Sequence, residues 1–520
     1  MTAIDPGSTV AVVGTGTMGQ GIAQVALVAG HSVRLYDAAP GRAEHAARSI
    51  AARLDRLVGK GTLDAAERDA ACGRLSAAEK LVDLEGAELV VEAILEDLGA
   101  KQQVFSALET VVADSCLLAT NTSSLPVTAV AGALRRPGRF VGLHFFNPAP
   151  LLPLVEVVSG HATEERAVTA AYETVAAWGK IPVRAADMPG FIVNRVARPF
   201  YAEAFRLYQD RAADPATIDA VVRECGGFRM GPFELTDLIG QDVNEAVTRS
   251  VWQSFFHDPK FAPSLAQRRL VESGRLGRKT GRGWYVYEGK EGAAAERPLP
   301  RTAPPESPPA EVVLSGDLGP AEELTGMIRE AGIKVSSSHE PSERHGAVLL
   351  PDGTRLGLTG GRMAAQEAPV RQILFDLALD YRAATRIALA PSNVVEPRSL
   401  AMAVGLFQAL GMQVSVIEDT PGLIVARTVA MLVDLAANAL AQGVASQSDI
   451  DKAMRLGVGY PMGPLEWGER LTARWVSDFL RGMHGECPDG RYAPSLLLRR
   501  CAATGRPLRH RAAVGQPFVG

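Results

Sequence analysis

Ser123, His144, Glu156 and Asn194 are residue types from which a proton-removing site can be built. His144 opens HFFNP, and Glu156 follows twelve positions later in PLVEVV. Ser123 lies in NTSSL and Asn194 in DMPGFIVNR. A histidine takes up a proton near neutral pH, and a carboxylate on its other ring nitrogen fixes the tautomer and stabilises the imidazolium that forms. Serine and asparagine can hydrogen-bond the oxygen that loses the proton. The set suits removal of a proton from an alcohol while a second group takes the hydride from its carbon. A carboxylate inside an apolar run is costly to leave unpaired, and His144 is the partner expected for Glu156. The plainer alternatives are a structural His–Glu pair and helix caps at Ser123 and Asn194, with Ser124 an equally good cap.

A hydride acceptor is suggested upstream. Residues 10–37 read VAVVGTGTMGQGIAQVALVAGHSVRLYD. The apolar, β-branched run Val10–Val13 predicts a buried strand, and Val33–Tyr36 a second. Between them Gly14, Gly16 and Gly19 form G-x-G-x-x-G, with Thr15, Thr17 and Met18 filling the loop. The pattern places a helix N-terminus against a pyrophosphate. Asp37, at the end of the second strand, would accept hydrogen bonds from ribose hydroxyls and repel a 2′-phosphate, so NAD is expected rather than NADP. Further strands are expected at 88–93, 117–119 and 140–143. Their carboxyl ends carry Glu92, Asn121 to Ser123 and His144, where an open α/β sheet binds its ligands.

The chain has 520 residues, 47% of them hydrophobic and 22% charged, enough for three or four domains. Its net charge of -4 offers no general attraction to nucleic acid or to an anionic membrane. Five cysteines, at 72, 116, 225, 487 and 501, are odd in number and lack metal-ligand spacing. No metal site and no disulfide framework is expected, and a reducing, cytoplasmic compartment fits. There is no signal-peptide pattern and no run long enough to span a bilayer.

A segment occurs twice. DMPGFIVNRV at 187–196 returns as DTPGLIVARTV at 419–429, and RMGPFEL at 229–235 returns as PMGPLEW at 461–467. Both pairs are offset by 232 positions (419 − 187 and 461 − 229), whereas FAPSL at 261 and YAPSL at 492 are offset by 231. Each copy reads as mainly helical, beginning at Gly190 or Gly422, with a kink expected at Pro199 and a cap at Asp214-Pro215. Asn194 corresponds to Ala426 and Lys279 to His510, so the first copy is expected to serve the site and the second to be structural. Six prolines between 298 and 309 predict an extended linker. The stretch after it reads as strand, glycine turn, helix and strand, with further strand–helix units near GAVLLPDG and PVRQILFDLALDY.

The expected architecture is therefore a doubly wound Rossmann-type NAD domain (1–186), an all-α domain (187–288), a Pro-rich linker (289–310), a small degenerate α/β domain without NAD (311–418) and a second all-α domain (419–520).

GTGTMG, VVEAILED, NTSSLPVT, GLHFFNPAPLLPLVEVV, DMPGFIVNRV, GFRMGPFELTD and GRKTGRGWYVY, in this order and spacing over residues 8–288, resemble the L-3-hydroxyacyl-CoA dehydrogenase family. The later domains resemble those of its long bacterial members. The resemblance implies NAD-dependent, reversible oxidation of an L-3-hydroxyacyl-CoA to a 3-ketoacyl-CoA. It implies His144 as base, Glu156 as its orienting acid, and Ser123 and Asn194 on the substrate oxygen. It further implies cofactor contacts from Glu96, Lys101, Asn147 and Lys279. CoA would be held by the basic segment 42–60, with Lys60 singled out among Arg42, Arg48, Arg53 and Arg56; a solvated helix face is the plain alternative. Long members similar to this chain act on 3-hydroxyadipyl-CoA or 3-hydroxybutyryl-CoA. Single-copy members dimerise through the helical domain, so either a homo-oligomer or an intramolecular pseudo-dimer of the two copies is expected. The rival functions are a dehydrogenase of free 3-hydroxy acids, against which His144 with Glu156 argues, and a non-catalytic NAD-binding relative.

Overall fold

The computed structural model describes residues 3–288, 293–294, 298–338, 346–367 and 371–508. Two compact units divide it, residues 1–195 with 442–458, and residues 196–441 with 459–520.

In the first unit the run Val10–Val13 lies in β1 (Thr9–Val13), an interior strand of an eight-stranded sheet. Its other strands are β2 (Ser32–Tyr36), β3 (Leu75–Ala78), β4 (Ala87–Glu92), β5 (Leu117–Thr120), β6 (Phe140–Phe145), β7 (Leu154–Ser159) and β8 (Ile181–Ala186), in spatial order β3-β2-β1-β4-β5-β6-β7-β8. All neighbours are parallel except β6 and β7. Helices α1 (Thr17–Val28), α2 (Arg42–Gly59), α3 (Ala65–Gly73), α4 (Leu98–Leu108), α5 (Val127–Ala131) and α6 (Glu165–Ala177) make the crossovers and flanks. Val10, Val12, Leu89, Val91, Val155 and Val157 join Ile22, Ala26 and Ile50 in one buried core, as expected for strands buried on both faces. After β8 the chain turns through Gly190 (φ 74°) and Phe191 (φ 48°) into a short helix, α7 (Val193–Val196).

The second unit opens with α8 (Arg198–Gln209), followed by α9 (Pro215–Glu224), α10 (Pro232–Ile239), α11 (Gln241–Ser254) and α12 (Leu265–Glu272). Pro199 does more than kink a long helix: α7 ends at Val196 and α8 starts at Arg198 with the proline in its first turn. A proline has no N–H to continue the ladder. Asp214 caps α9 as its sequence suggests, accepting from Thr217 N at 2.9 Å. A short ribbon of β9 (Tyr287–Glu288) and β10 (Ala293–Ala294) ends the first copy. The proline-rich stretch that follows is extended but fastened along its length. Arg301 N donates to Thr217 Oγ1 (2.8 Å), Ala303 N to Val414 O (2.8 Å) and Glu306 N to Gln408 Oε1 (2.8 Å).

The small α/β part differs from expectation. Its sheet runs β12-β11-β13-β14-β15-β16-β17, from β11 (Glu311–Ser315), β12 (Lys334–Ser337), β13 (Ala347–Leu349), β14 (Arg355–Leu358), β15 (Gln372–Phe375), β16 (Arg386–Pro391) and β17 (Gln413–Val416). The sheet is mixed, and only α13 (Leu324–Glu330) and α14 (Pro397–Ala409) serve it as α-helices among the described residues. GAVLLPDG leads into a hairpin, not a helix. Gly353 (φ 80°) turns the chain and β13 pairs antiparallel with β14. No helix follows β15; at its end Asp376 turns inward and takes backbone N–H groups of the next helical copy.

The second copy comprises α15 (Val425–Ala441), α16 (Gln447–Val458), α17 (Pro464–Leu471), α18 (Ala473–Glu486) and α19 (Leu496–Thr504). Without a proline, its first helix is continuous. In the second unit α8 packs on α15 around a buried ion cluster. Glu203 accepts from Arg427 Nε (3.0 Å) and Tyr492 Oη (2.8 Å), and it pairs with Arg206. The copies also exchange their second helices. α9 of the first copy lies on β16, with Arg386 Nε 2.9 Å from Glu224, while α16 of the second copy belongs to the first unit and lies on β7 and β8. Hydrogen bonds related by the 232-residue offset mark the exchange: Ala186 N to Val444 O (2.7 Å) and Glu418 N to Ala212 O (3.1 Å), where 418 − 186 and 444 − 212 are both 232. His510, the counterpart of Lys279, lies outside the described residues.

Candidate active site

The antiparallel turn from β6 to β7 makes His144 and Glu156 direct cross-strand partners. Their spacing of twelve residues is the length of that connection. His144 lies inside β6 rather than just after it, and both side chains are buried, Glu156 completely. His144 Nδ1 is 2.5 Å from Glu156 Oε2. The other oxygen, Oε1, accepts from Ile192 N (3.0 Å) and Val193 N (2.9 Å), at the start of the first helical copy. Glu156 therefore only accepts, so Nδ1 of His144 carries the proton and Nε2 presents a lone pair. Nε2 is 3.1 Å from Ser123 Oγ. Asn194 Nδ2 donates to Ser123 O at 3.5 Å, so the structure brings all four residues together.

Ser123 is placed by its surroundings rather than by its own chemistry. Glu96 Oε1 accepts from Thr122 Oγ1 (2.7 Å), Ser123 N (2.9 Å), Ser124 N (2.9 Å) and Ser124 Oγ (3.0 Å). Burial raises the Glu96 pKa, but Lys101 and these donors outweigh it and hold the carboxyl below its ordinary value. Lys101, expected as a cofactor contact, is 1% exposed, with its ammonium between Glu92 (2.6 Å) and Glu96 (3.4 Å). Glu96 and Lys101 thus brace the serine loop. Asn121, at a strand end the sequence marked, and Asp187, which sequence reasoning did not single out, complete the frame. Asn121 Oδ1 accepts from Phe145 N (2.9 Å), and Asp187 accepts from Val127 N (2.9 Å) and Thr128 N (2.7 Å). Asp187 had a signal, since the repeat preserves it as Asp419, which likewise accepts from Ala364 N and Ala365 N. The ring of Phe146 lies 4.5 Å from that of His144.

The glycine loop fits a dinucleotide. Gly14 has φ 95°, and a Cβ there would meet Ala93 O at 2.6 Å; a Cβ on Gly19 would meet Gly14 O at 1.8 Å. Gly16, by contrast, caps α1 and faces open space, leaving backbone bare where a phosphate would approach the helix N-terminus at Thr17 and Met18. Asp37 Oδ2 accepts from Thr15 N (3.0 Å) and Thr15 Oγ1 (2.7 Å), tying β2 to the loop. Burial pushes its pKa up, but the Thr15 and Ala39 donors and Arg42 hold it below its ordinary value. Asn147 is exposed just beyond β6. Lys279 lies in the second unit, where it pairs with Asp242 at 2.6 Å. Lys60 is exposed at the C-cap of α2, and at 3.6 residues per turn it shares a helix face with Arg42, Arg53 and Arg56. Arg53 on that face donates to Gln20 Oε1 (2.6 Å), which is on α1.

The 232-residue offset runs through the sheets as well. In the small domain Asp376 stands at the position of His144 and Ala388 at that of Glu156 (376 − 144 and 388 − 156 are both 232). Asp376 accepts from Ile424 N (2.9 Å), Val425 N (2.8 Å) and Ala426 N (3.0 Å), the counterparts of Ile192, Val193 and Asn194. A buried acid anchors the start of each helical copy, but only the first copy joins it to a histidine.

Residues 9–188 match the 3-hydroxyacyl-CoA dehydrogenase NAD binding domain, and residues 190–287 and 422–514 match the C-terminal domain of the same family. Residues 356–421 match the 3-hydroxybutyryl-CoA dehydrogenase reduced Rossmann-fold domain. The chain is 42% identical over 497 residues to 3-hydroxyadipyl-CoA dehydrogenase of Escherichia coli K12, covering 95% of this chain and 97% of that protein. A probable 3-hydroxybutyryl-CoA dehydrogenase of Bacillus subtilis is 39% identical over 279 residues, 54% of this chain and 97% of that protein. Among solved structures, 3-hydroxybutyryl-CoA dehydrogenase from E. coli K12 superimposes with a TM-score of 0.86 at 40% identity, covering 96% of this chain and 99% of that one. No described helix is long and apolar enough to cross a membrane. With a glycine loop shaped for a dinucleotide and matches that run through both helical copies, the chain belongs to the 3-hydroxyacyl-CoA dehydrogenase family, NAD-dependent oxidoreductases, in the long form with additional C-terminal domains.

Proposed function

We propose that the chain oxidises the 3-hydroxyl of an L-3-hydroxyacyl-CoA, with His144 as the base and Glu156 as its orienting acid. The observation that carries this reading is the buried 2.5 Å contact from His144 Nδ1 to Glu156 Oε2, with Nε2 facing Ser123 Oγ at 3.1 Å. NAD, when bound, supplies the hydride acceptor for the carbon that bears the hydroxyl. Gly14 to Gly19 and Asp37 are the groups that would hold it. The substrate oxygen would sit within hydrogen-bond reach of Nε2, Ser123 Oγ and Asn194 Nδ2. His144 takes the hydroxyl proton on Nε2, and Glu156 stabilises the resulting imidazolium through Nδ1–H. In the reverse direction the same imidazolium returns the proton. Glu96 and Lys101 act by fixing the loop that carries Ser123.

The basic face Arg42, Arg53, Arg56 and Lys60 suits the phosphates of CoA, which need cations in a chain of net charge -4. The full-length similarity to a 3-hydroxyadipyl-CoA dehydrogenase favours a 3-hydroxyadipyl-CoA substrate, and the solved relative supports 3-hydroxybutyryl-CoA as a second candidate. NADH formation from hydroxybutyryl, hydroxyadipyl and long-chain CoA esters, set against the matching free acids, tests the proposal. Turnover of a CoA ester, with the adipyl ester favoured, is expected. Turnover of free acids alone, or of nothing while NAD binds, would replace it with the free-acid or the non-catalytic reading.

A further inference from the structure

We propose that the second helical copy takes part in the chemistry of the first, with Gly457 of α16 as a positioning residue for the His144–Glu156 pair. The inference rests on the dyad reading above. Within the first unit, segment 442–458 reaches the immediate neighbours of three of the four site residues. Gln442 Oε1 accepts from Arg195 Nη2 at 2.6 Å, next in the chain to Asn194. Val444 O accepts from Ala186 N at 2.7 Å, at the end of β8. At the far end of α16, a Cβ on Gly457 would lie 2.7 Å from Leu154 Cδ2, 3.1 Å from Val193 Cγ2 and 3.8 Å from Phe146 Cζ.

Each of these three residues touches or frames the dyad. Leu154 lies two residues before Glu156 on β7, so their side chains share a face of the sheet. Val193 donates its N–H to Glu156 Oε1 at 2.9 Å. The Phe146 ring lies 4.5 Å from the His144 ring. A Cβ at 457 would crowd Leu154 and Val193, the second of which carries the donor that aims the acid, and would come into ordinary contact with the ring beside the base; a larger side chain would press on all three.

The helical repeat itself does not demand a glycine here. The counterpart in the first copy is Cys225 (457 − 225 is 232), a buried side chain facing the small domain with Sγ 3.4 Å from Leu377 O. The glycine belongs to the place where the second copy meets the dyad strand, and it lets α16 close onto β7 without displacing Leu154 or Val193.

The test uses the full-length enzyme and compares Gly457→Val and Gly457→Ala with wild type, His144→Ala and the control Gly485→Ala, whose Cβ would meet nothing within 4 Å. The readouts are kcat and KM on the best CoA ester, NAD affinity and Tm. Gly457→Val is expected to lower kcat by about tenfold or more, since a sub-ångström misplacement of reacting groups is costly. NAD affinity should hold, and Leu154→Ala in the same chain should restore much of kcat by removing the nearest atom. Gly457→Ala, which favours the helix, is expected to lower kcat by a smaller factor with Tm unchanged or raised, and it decides the matter if the valine variant does not fold. Unchanged kcat in both variants, no recovery with Leu154→Ala, or a fall in kcat that merely follows losses of Tm and NAD affinity would overturn the proposal. Full activity in His144→Ala would instead remove the dyad reading on which it rests.

Discussion

Replacing Glu156 with glutamine separates the two tasks of this residue. The carboxylate takes two backbone N–H groups on Oε1, from Ile192 and Val193, and the imidazole on Oε2. Glutamine has one oxygen and one NH2 for these two sides. Its oxygen must face the paired N–H groups, because an NH2 there would set donors against donors in a buried site. The NH2 then points at His144 Nδ1 and donates to it. That forces the proton onto Nε2, so the lone pair aimed at Ser123 Oγ is lost. The charge that would stabilise the imidazolium is lost as well. Two unit charges about 4 Å apart at an effective dielectric near 20 interact by about 4 kcal/mol. By transition-state arithmetic that is a loss of about a thousandfold in kcat. The helix anchor survives, so Tm and NAD affinity should stay close to wild type. NADH formation under saturating NAD and CoA ester measures the first, and thermal unfolding and NAD titration the second. A Glu156→Gln enzyme with kcat within about tenfold of wild type would refute the assigned tautomer and the role of the acid.

Three other outcomes follow from the same geometry. Asp37→Ser removes both the acceptor expected for the ribose and the tie to Thr15, so KM for NAD should rise by about tenfold or more, while NADP becomes a usable cofactor; unchanged preference in steady-state kinetics would count against the assignment. Glu203→Ala leaves Arg427 buried without its acid, which should cost about 3–5 kcal/mol in thermal or denaturant unfolding; a negligible change would mean that the ion cluster between α8 and α15 contributes little. Burial first, then the neighbouring Glu234, pushes the Asp219 carboxyl up to about 8, against donors from Tyr285, Phe233 N and Glu234 N. Its folded value lies above the unfolded one, so the stability it contributes is complete below about pH 4 and is lost as pH rises through about 8, by up to about 1.4 kcal/mol per pH unit. Denaturant unfolding across that range should show a falling stability that Asp219→Asn flattens, and equal slopes in both proteins would contradict the assignment.

The arrangement of the candidate site was largely legible because Ser123 and His144 sit at the ends of apolar runs and Glu156 inside one. A strand with histidine at its exit and a buried glutamate twelve positions on leaves little room for any arrangement but a cross-strand pair. The glycine loop was legible for the same kind of reason, since positive φ at Gly14 and close packing at Gly19 exclude other residues. What spacing could not show is the direction of long-range contacts. Lys101, expected from the resemblance as a cofactor contact, is buried with its ammonium between Glu92 and Glu96. GAVLLPDG reads as the start of a strand–helix unit, but its turn closes a hairpin. The repeat was visible in DMPGFIVNRV and DTPGLIVARTV, whereas the sheet that precedes each copy keeps the same offset with almost no shared residues. Asp376 at the place of His144 is recognisable only once the strand registers are known. Nor does the repeat reveal that α16 belongs with the first sheet, because an amphipathic helix carries no address for the surface that buries its apolar face.

The central claim is that His144, oriented by Glu156, is the base for a CoA-linked alcohol. The most direct measurement is single-turnover NADH formation by wild type and His144→Ala on L-3-hydroxyadipyl-CoA and L-3-hydroxybutyryl-CoA, with NAD affinity measured alongside. Wild type should turn over at least one ester, and His144→Ala should lose about a hundredfold or more in rate with NAD still bound. A His144→Ala enzyme that forms NADH at close to the wild-type rate would contradict the claim.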